Sequence, residues 1–437
     1  VERAVFITVL NRLFAGGSDR FCSKWVADYG ISGADELGLH HFYRAMAWLG
    51  EELPEAQQAG RTLAPRCVKD LIEEELFFRS RDLFSSLDLV FFDTTSIYFE
   101  GEGGETLGER GHTKDHRPDL KQMVVGAVID NQGRPICCEM WPGNTADVRS
   151  LVPVVDRLRS RFSIGRVCIV ADRGMISADT VAELEKRQWP YILGARMRAV
   201  KEVKQEVLSR AGRYQVVGAS RSPLKVKEVM VHDRRYVVCV NEDQAKKDAA
   251  DRSAMLCALE ERLKEGDKSL VGNKGFRRYL ASVGEGFRID YDKAKAESRF
   301  EGKWVLRTNT SIGAAEVALK YKQLWIVEQL FRSAKTLLST RPVYHKYDRT
   351  IRGHVFCSFL ALVLRRALQE RMEAKEASCE WADIKQDLDS LTEVELEHAG
   401  KRFILRSQPK GTCSAVFRAV GVALPPNIRS VPLDLKQ

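Results

Sequence analysis

The chain has 437 residues, 44% of them hydrophobic, enough for two or three domains with cores of their own and too apolar for a disordered protein. Its formal net charge of +9, with a pI near 9.0, permits a polyanionic partner without requiring one. The ten cysteines lack C-x-x-C spacing and several sit inside apolar runs, which argues against a zinc module and for reduced core residues in a cytosolic protein. No apolar run is long enough to span a bilayer and no signal-peptide pattern shows, so no membrane partner is expected. The sequence starts at Val1 inside what reads as a helix, so part of the N-terminus is expected to be absent.

Residues 1–85 read as a helical region. Ala4–Phe14, Asp19–Tyr29, Glu36–Leu49 and Cys67–Arg79 have helical apolar spacing, interrupted at Gly16-Gly17, Gly30 and Pro54. This lead-in is either a packing platform or part of a DNA-binding domain. From Leu87 the character changes to a near-continuous apolar run through Phe99, the pattern of a central strand covered on both faces, with Asp93 in its middle. A carboxylate there is costly unless paired or metal-bound. Gly101–Lys121 reads as a long loop. Lys121–Asp130 and Arg134–Trp141 form a hairpin around Asn131-Gln132-Gly133.

A helix is expected over Val148–Arg161, capped by Thr145 or Asp147. Arg166–Ala171 is a short buried strand ending in Asp172, Arg173 and Gly174. Asp172 thus lies at the carboxyl end of a strand, where open α/β sheets place their sites. It is either a site residue or a cap for the Ser177–Arg187 helix, which Ser177 or Asp179 caps better. Trp189–Ala195 supplies another strand. A meander of three strands turning into strand–helix crossovers makes a mixed sheet with helices on its faces, the order of a ribonuclease-H-like core. In that order the first and fourth strands are neighbours, which brings Asp93 and Asp172 to one rim. The next segment, before the strand Lys303–Thr310, reads as a mainly β insertion: strands at Tyr214–Ala219, Leu224–His232 and Arg235–Asn241, and a charged helix at Gln244–Glu265.

The stretch Tyr321–Lys335 reads as one amphipathic helix, with Leu324, Val327, Phe331 and Ala334 forming its inward stripe. Tyr321, Glu328 and Lys335 recur every seven residues, so they are expected near one face, where a phenol, a carboxylate and a cation suit metal-dependent phosphoryl transfer. A solvated Glu–Lys face is the plainer alternative. Lys/Arg residues exceed Asp/Glu by seven in Arg196–Arg235 and again by seven in Arg332–Arg371, leaving −5 for the rest of the chain. Charge concentrated this way resembles a nucleic-acid footprint. His345 and His354 fall in the second basic segment and without a third ligand make no zinc site. An apolar helix over Val355–Leu368 is expected beneath the Glu328 helix. Glu370–Glu397 reads as acidic and helical, Arg402–Arg406 as a short strand and Gly411–Pro426 as a small helix.

Together the motifs are specific. Phe92-Asp93-Thr94-Thr95-Ser96, Lys114 through Gln122, Gly143-Asn144-Thr145 with Asp147, Ala171 through Met175, Tyr321 through Lys335, and Arg341 through His345 followed by Arg349 and His354 occur in one order. The chain resembles bacterial insertion-sequence transposases of the DDE superfamily, in the group with a Y-x2-R-x3-E-x6-K signature and an interrupted ribonuclease-H-like core. The signature's arginine position is Leu324 here, with Lys322 and Arg332 as substitutes.

The resemblance implies five regions: a helical 1–85, a core in two parts (86–198 and 303–371), a β-rich insertion at 199–302, and a C-terminal 372–437 that serves dimerisation. It implies that Asp93, Asp172 and Glu328 hold two Mg²⁺ ions, with Mn²⁺ as the substitute. It implies that Tyr321, Lys322, Arg332, Lys335, Arg341, His345 and Arg349 contact DNA. The expected activity is cut-and-paste transposition by a homodimer that joins element ends to target double-stranded DNA in the bacterial cytoplasm, at the nucleoid. Related enzymes pass through a hairpin intermediate. The alternatives are a ribonuclease-H-like nuclease without strand transfer and a silent or domesticated DNA-binding relative.

Overall fold

The computed structural model describes residues 1–58, 64–80, 89–162, 164, 167–218, 222–265, 278–283, 286–336 and 338–431. The chain opens with helices α1 (Glu2–Phe14), α2 (Asp19–Trp25), α3 (Leu39–Leu49) and α4 (Val68–Arg79). There follow β1 (Leu89–Tyr98), β2 (Gln122–Asp130), β3 (Pro135–Pro142), α5 (Leu151–Phe162), β4 (Cys168–Ala171), α6 (Ala178–Lys186) and β5 (Tyr191–Ala195), in the order expected from the sequence. Next come β6 (Gln215–Val217), β7 (Leu224–Val231), β8 (Arg234–Asn241), α7 (Glu242–Glu265), β9 (Leu280–Val283), β10 (Gly286–Ile289), α8 (Tyr291–Glu297) and β11 (Lys303–Thr308). The last elements are α9 (Ala314–Lys322), α10 (Trp325–Thr336), α11 (Asp348–Glu373), α12 (Trp381–Asp389), β12 (Glu393–His398), β13 (Lys401–Arg406), α13 (Cys413–Val420) and β14 (Ile428–Val431). The expected strand starts at Leu87 and Arg166, and the strand end at Ala219, lie outside the described residues.

Local chemistry sets several boundaries. Ser18 caps α2 by accepting from the Phe21 amide at 3.2 Å, and Ser177 caps α6 by accepting from the Thr180 amide at 3.0 Å. The β2–β3 turn is fixed by Asp130, whose carboxylate accepts from the Gln132 and Arg134 amides at 2.9 Å, with Gly133 in the left-handed region.

Two units divide the chain. The first comprises Val1–Asp82, Thr94–Thr145 and Val327–Gln437. Its centre is α11, which packs against α1 and α3 and more lightly on β3 and α13. At the α3–α11 crossing, a Cβ on Gly50 would run into the Arg349 carbonyl and one on Gly353 into the Met46 carbonyl, so glycine at both positions lets the backbones close. The helical N-terminal residues are therefore a packing partner of α11, which also reaches the Glu328 helix through Arg365, whose guanidinium donates to the Ser333 hydroxyl at 3.0 Å. Helix α4 is tied to β3 through Lys69, wholly buried, whose ammonium reaches Asp70 at 2.8 Å and the Cys138 carbonyl at 2.7 Å. The Cys138 amide in turn donates to Glu73 at 3.0 Å. Burial disfavours the charge on Lys69, but Asp70 and Glu73 outweigh it and hold the ammonium well above its ordinary pKa.

The C-terminal part differs from expectation. Of the acidic stretch, Glu370–Glu373 is the end of α11 and Trp381–Asp389 is a helix, whereas Glu393–His398 is a strand paired antiparallel with β13, which also pairs with β14. Glu393-Val394-Glu395-Leu396-Glu397 alternates with period two, which suits a strand, and Ala399-Gly400 turn back with positive φ.

The second unit comprises Leu83–Asp93 and Ala146–Ile326. Its mixed sheet runs β1-β4-β5-β11-β8-β7-β6. The pairs β1–β4 and β4–β5 are parallel, whereas β11 is antiparallel to both β5 and β8. The insertion strands β6–β8 thus continue the edge that β11 offers. Hairpin β9–β10 sits with α7 and α8 over a small core of Leu259, Tyr279 and Ala294. In the first unit β2 lies between β3 and β1. Followed through β1, which belongs partly to each unit, the order β3-β2-β1-β4-β5 is that of a ribonuclease-H-like core, and the protein is a mixed α/β chain with helical terminal regions.

The single helix expected over Tyr321–Lys335 is two. Helix α9 ends at Lys322, and α10 begins at Trp325. The break carries no Pro or Gly. It arises from tightening of the backbone ladder to i−3 bonds, with the Leu324 amide donating to the Tyr321 carbonyl at 3.0 Å and the Ile326 amide to the Gln323 carbonyl at 2.9 Å.

Candidate active site

The β1–β4 register pairs Phe92 with Ala171, so Asp93 and Asp172 are the next residues on adjacent parallel strands. Neighbouring strands lie about 4.8 Å apart, which sets the spacing of the two backbones. Both carboxylates are half-buried. Asp172 precedes a 3-10 turn, Arg173–Met175, and makes no side-chain cap to it. Since Ser177 caps α6, the helix-cap alternative for Asp172 does not hold. Arg196 pins the turn after Asp172, its guanidinium donating to the carbonyls of Arg173 at 3.0 Å and Gly174 at 3.1 Å.

Tyr321, from the last turn of α9, donates its hydroxyl to Asp172 Oδ1 at 2.8 Å. Helix α9 crosses β4 and β5, and the hydroxyl lies over Gly194 on β5, where a Cβ would fall inside contact with it. Burial, then the Asp172 carboxylate and more weakly Asp93, push the Tyr321 phenol far above its ordinary pKa, so it stays a donor. This arrangement fixes one oxygen of Asp172.

The remaining predicted residues are placed as follows. Glu328 is exposed on the first turn of α10. The Tyr321–Glu328–Lys335 heptad is therefore not carried on one helix. Leu324, at the signature's arginine position, is buried, and Lys322 and Arg332 are exposed. Lys335 and Arg341 converge on Asp115, each with a nitrogen 2.6 Å from the same oxygen, Oδ1. Burial pushes the Lys335 ammonium below its ordinary pKa, and Asp115 opposes that shift. Arg349 is exposed and stacks on the Tyr347 ring at 5.9 Å.

His345 lies inward, 3.3 Å from Asp19 Oδ2 and 3.2 Å from His354 Nδ1. Asp19, His345 and His354 bring three ligand atoms within 4.8 Å of one another, supplying the third partner that the sequence did not reveal. However, Arg12 already stands there, 2.8 Å from His354 Nδ1 and 3.4 Å from Asp19 Oδ1, so a resident guanidinium neutralises the carboxylate. His354 Nε2 faces the Thr340 carbonyl at 3.1 Å. Burial and Arg12 keep His354 neutral. The trio reads as an internally compensated cluster.

Sequence reasoning missed Asp115 and Gly194. A glycine inside the apolar strand Tyr191–Ala195 signals close approach by another group, here the Tyr321 hydroxyl. Asp115 falls in the motif Lys114–Gln122, but nothing local gives it a role apart from the other charges of that loop.

Residues 85–364 match the family described as Transposase DDE domain. Among solved structures, a piggyBac transposase synaptic complex with hairpin DNA is similar at 10% identity and TM-score 0.41, over 89% of this chain and 70% of that one. A Mos1 transposase paired-end complex with the left transposon end is similar at 13% identity and TM-score 0.18, over 43% of this chain and 57% of that one. No curated protein matches the sequence. The family match covers more than half of the chain, from the strand that carries Asp93 into the helix that carries His354: the protein belongs to the Transposase DDE domain family.

Proposed function

We propose that this protein cuts DNA at the ends of an insertion element and joins those ends to target DNA, with Asp93, Asp172 and Glu328 as its catalytic carboxylates and a homodimer as the working form. The observation that carries the reading is the in-register pairing of β1 and β4, with Asp93 and Asp172 side by side and the Tyr321 hydroxyl on Asp172. The donor set consists of carboxylate oxygens, which fits hard divalent cations such as Mg²⁺ or Mn²⁺. When bound, a pair of such ions supplies an activated attacking oxygen and stabilises the leaving one.

The chain's own groups do the rest. Tyr321 holds Oδ1 of Asp172, so the carboxylate presents its second oxygen in a fixed direction. Arg196 keeps the turn that carries Asp172 from shifting. Lys335 and Arg341 offer cations to the DNA backbone, and Lys322, Arg332 and Arg349 are exposed cations for further contacts of the same kind. His345 faces Asp19 and packs edge-on against Tyr43, which points to support of its loop more than to DNA contact.

The test is a cleavage assay on linear DNA carrying the sequences that flank the gene, with and without Mg²⁺, for the wild type and Glu328→Ala. Metal-dependent nicks at the element boundary that vanish in the variant are expected. Binding without cleavage by the wild type would sink the catalytic reading, and undiminished cutting by Glu328→Ala would remove that residue from the site.

A further inference from the structure

The Asp115 carboxylate is the least exposed member of its trio: its side chain is 5% accessible, against 10% for Lys335 and 26% for Arg341. Both cations use the same oxygen. Lysine carries three N–H donors and arginine five, so a single shared acceptor leaves each able to bind another. The loop is itself anchored. The Thr113 hydroxyl accepts from the Asp115 and Arg117 amides at 3.1 and 3.3 Å, and Lys114 donates to the Thr94 carbonyl and hydroxyl at 2.7 and 2.9 Å. Arg117 and Arg341 both stack on the Tyr98 ring, at 5.6 and 5.7 Å. Lys114, Lys335 and Arg341 against Asp115 leave a local charge of two positive units, with the negative one innermost.

We propose that Asp115 is a positioning residue that holds Lys335 and Arg341 together as a preformed pair of cations for a single DNA backbone phosphate. The inference rests on the transposase reading, which supplies the DNA. A phosphate arriving from solvent meets the two cations before it meets the carboxylate, so Asp115 supports the pair and does not compete for it. The carboxylate also keeps Lys335 charged. Burial and the neighbouring Arg341 and Lys114 charges all push the ammonium toward its neutral form, and the Asp115 hydrogen bond and charge are what oppose them. A buried lysine without that partner loses its proton closer to neutrality.

The experiment measures binding of a linear duplex, taken from the DNA flanking the gene, from about pH 6 to about pH 9.5, the range below the ordinary lysine pKa. Wild type, D115N and D115N/K335R are compared. Wild-type affinity is expected to be nearly flat across the range. D115N is expected to bind about tenfold more weakly at the alkaline end than at the acid end, as a lost charge-assisted contact predicts. D115N/K335R is expected to recover the flat profile, because arginine stays charged. That recovery also excludes misfolding, since the double variant lacks the same carboxylate. Tighter binding by D115N at every pH would make Asp115 a competitor of phosphate and overturn the proposal. So would a profile identical to wild type, or a loss independent of pH that arginine does not repair. A wild-type protein that binds no such duplex would overturn the transposase reading and this inference with it, whereas wild-type binding with an unchanged D115N sinks this inference alone.

Discussion

Gly194→Ala tests how Tyr321 is held. The added Cβ would fall inside contact with the Tyr321 hydroxyl and at 3.1 Å from the Arg173 amide nitrogen. Gly194 lies in a regular strand and is not among the residues with positive φ, so backbone strain is no part of the cost, and alanine would by itself favour the fold by ~0.5–1 kcal/mol through the unfolded chain. Overpacking costs about 1–3 kcal/mol, and displacing the hydroxyl also weakens its bond to a carboxylate, worth about 1.5–3 kcal/mol. Gly194→Ala is therefore expected to destabilise the protein by roughly 2–4 kcal/mol in urea unfolding. Tyr321→Phe removes the bond and the clashing oxygen together. In that background Gly194→Ala should cost at least ~1 kcal/mol less than it does in wild type, the remainder reflecting the Arg173 amide and the ring carbon Cζ, each 3.1 Å from the added Cβ. Additive effects, within about 0.5 kcal/mol, would show that Gly194 is not kept small by the hydroxyl and would refute the reasoning.

Two further outcomes follow from the first unit. Burial would raise the Asp19 carboxyl, but the His345 hydrogen bond and the Arg12 charge outweigh it and bring the pKa down to about 2. A depressed folded pKa gives stability that is present above the unfolded value near 3.8 and is lost as pH falls through about 2, an amount of roughly 2 kcal/mol. Acid unfolding monitored by tryptophan fluorescence should show a component over this window that Asp19→Asn removes, and an unchanged acid limb would count against the cluster. At the α3–α11 crossing, Gly353→Ala forces a methyl group onto the Met46 carbonyl, an obstacle of backbone and not a flexible side chain. About 3 kcal/mol or more is expected in thermal or urea unfolding, and a loss under about 1 kcal/mol would mean that the helices separate easily.

Much of the fold was legible because its signals are local. The apolar run ending at Phe99, the Asn131-Gln132-Gly133 turn and the Ser177 cap each specify an element within a few residues, and the β1–β4 adjacency followed from the order of elements. Three things were not legible. The α9–α10 break leaves the apolar periodicity intact and carries no Pro or Gly, so it is invisible to pattern. The strand Glu393–His398 was hidden by its acidic composition although its alternation is present. The partners of the candidate site residues come from far away in sequence: Asp115 lies 220 residues before Lys335, and Arg12 lies 342 before His354. A single sequence carries no signal for such pairs beyond the oddness of a charge in apolar company.

The position of β11 bears on how the protein is made. It sits between β5 and β8, yet in the sequence it follows both, with β5 more than a hundred residues upstream. Between the synthesis of β8 and that of β11, the β5 and β8 edges that β11 will occupy have no partner, and unpaired edges recruit other strands. The sheet can close only after Thr308 has emerged, so the nascent chain carries two open edges through most of the synthesis of the insertion. Slowing translation within the insertion should then raise aggregation, whereas the same slowing after β11 should not, because by that point the strand that seals both edges is already available.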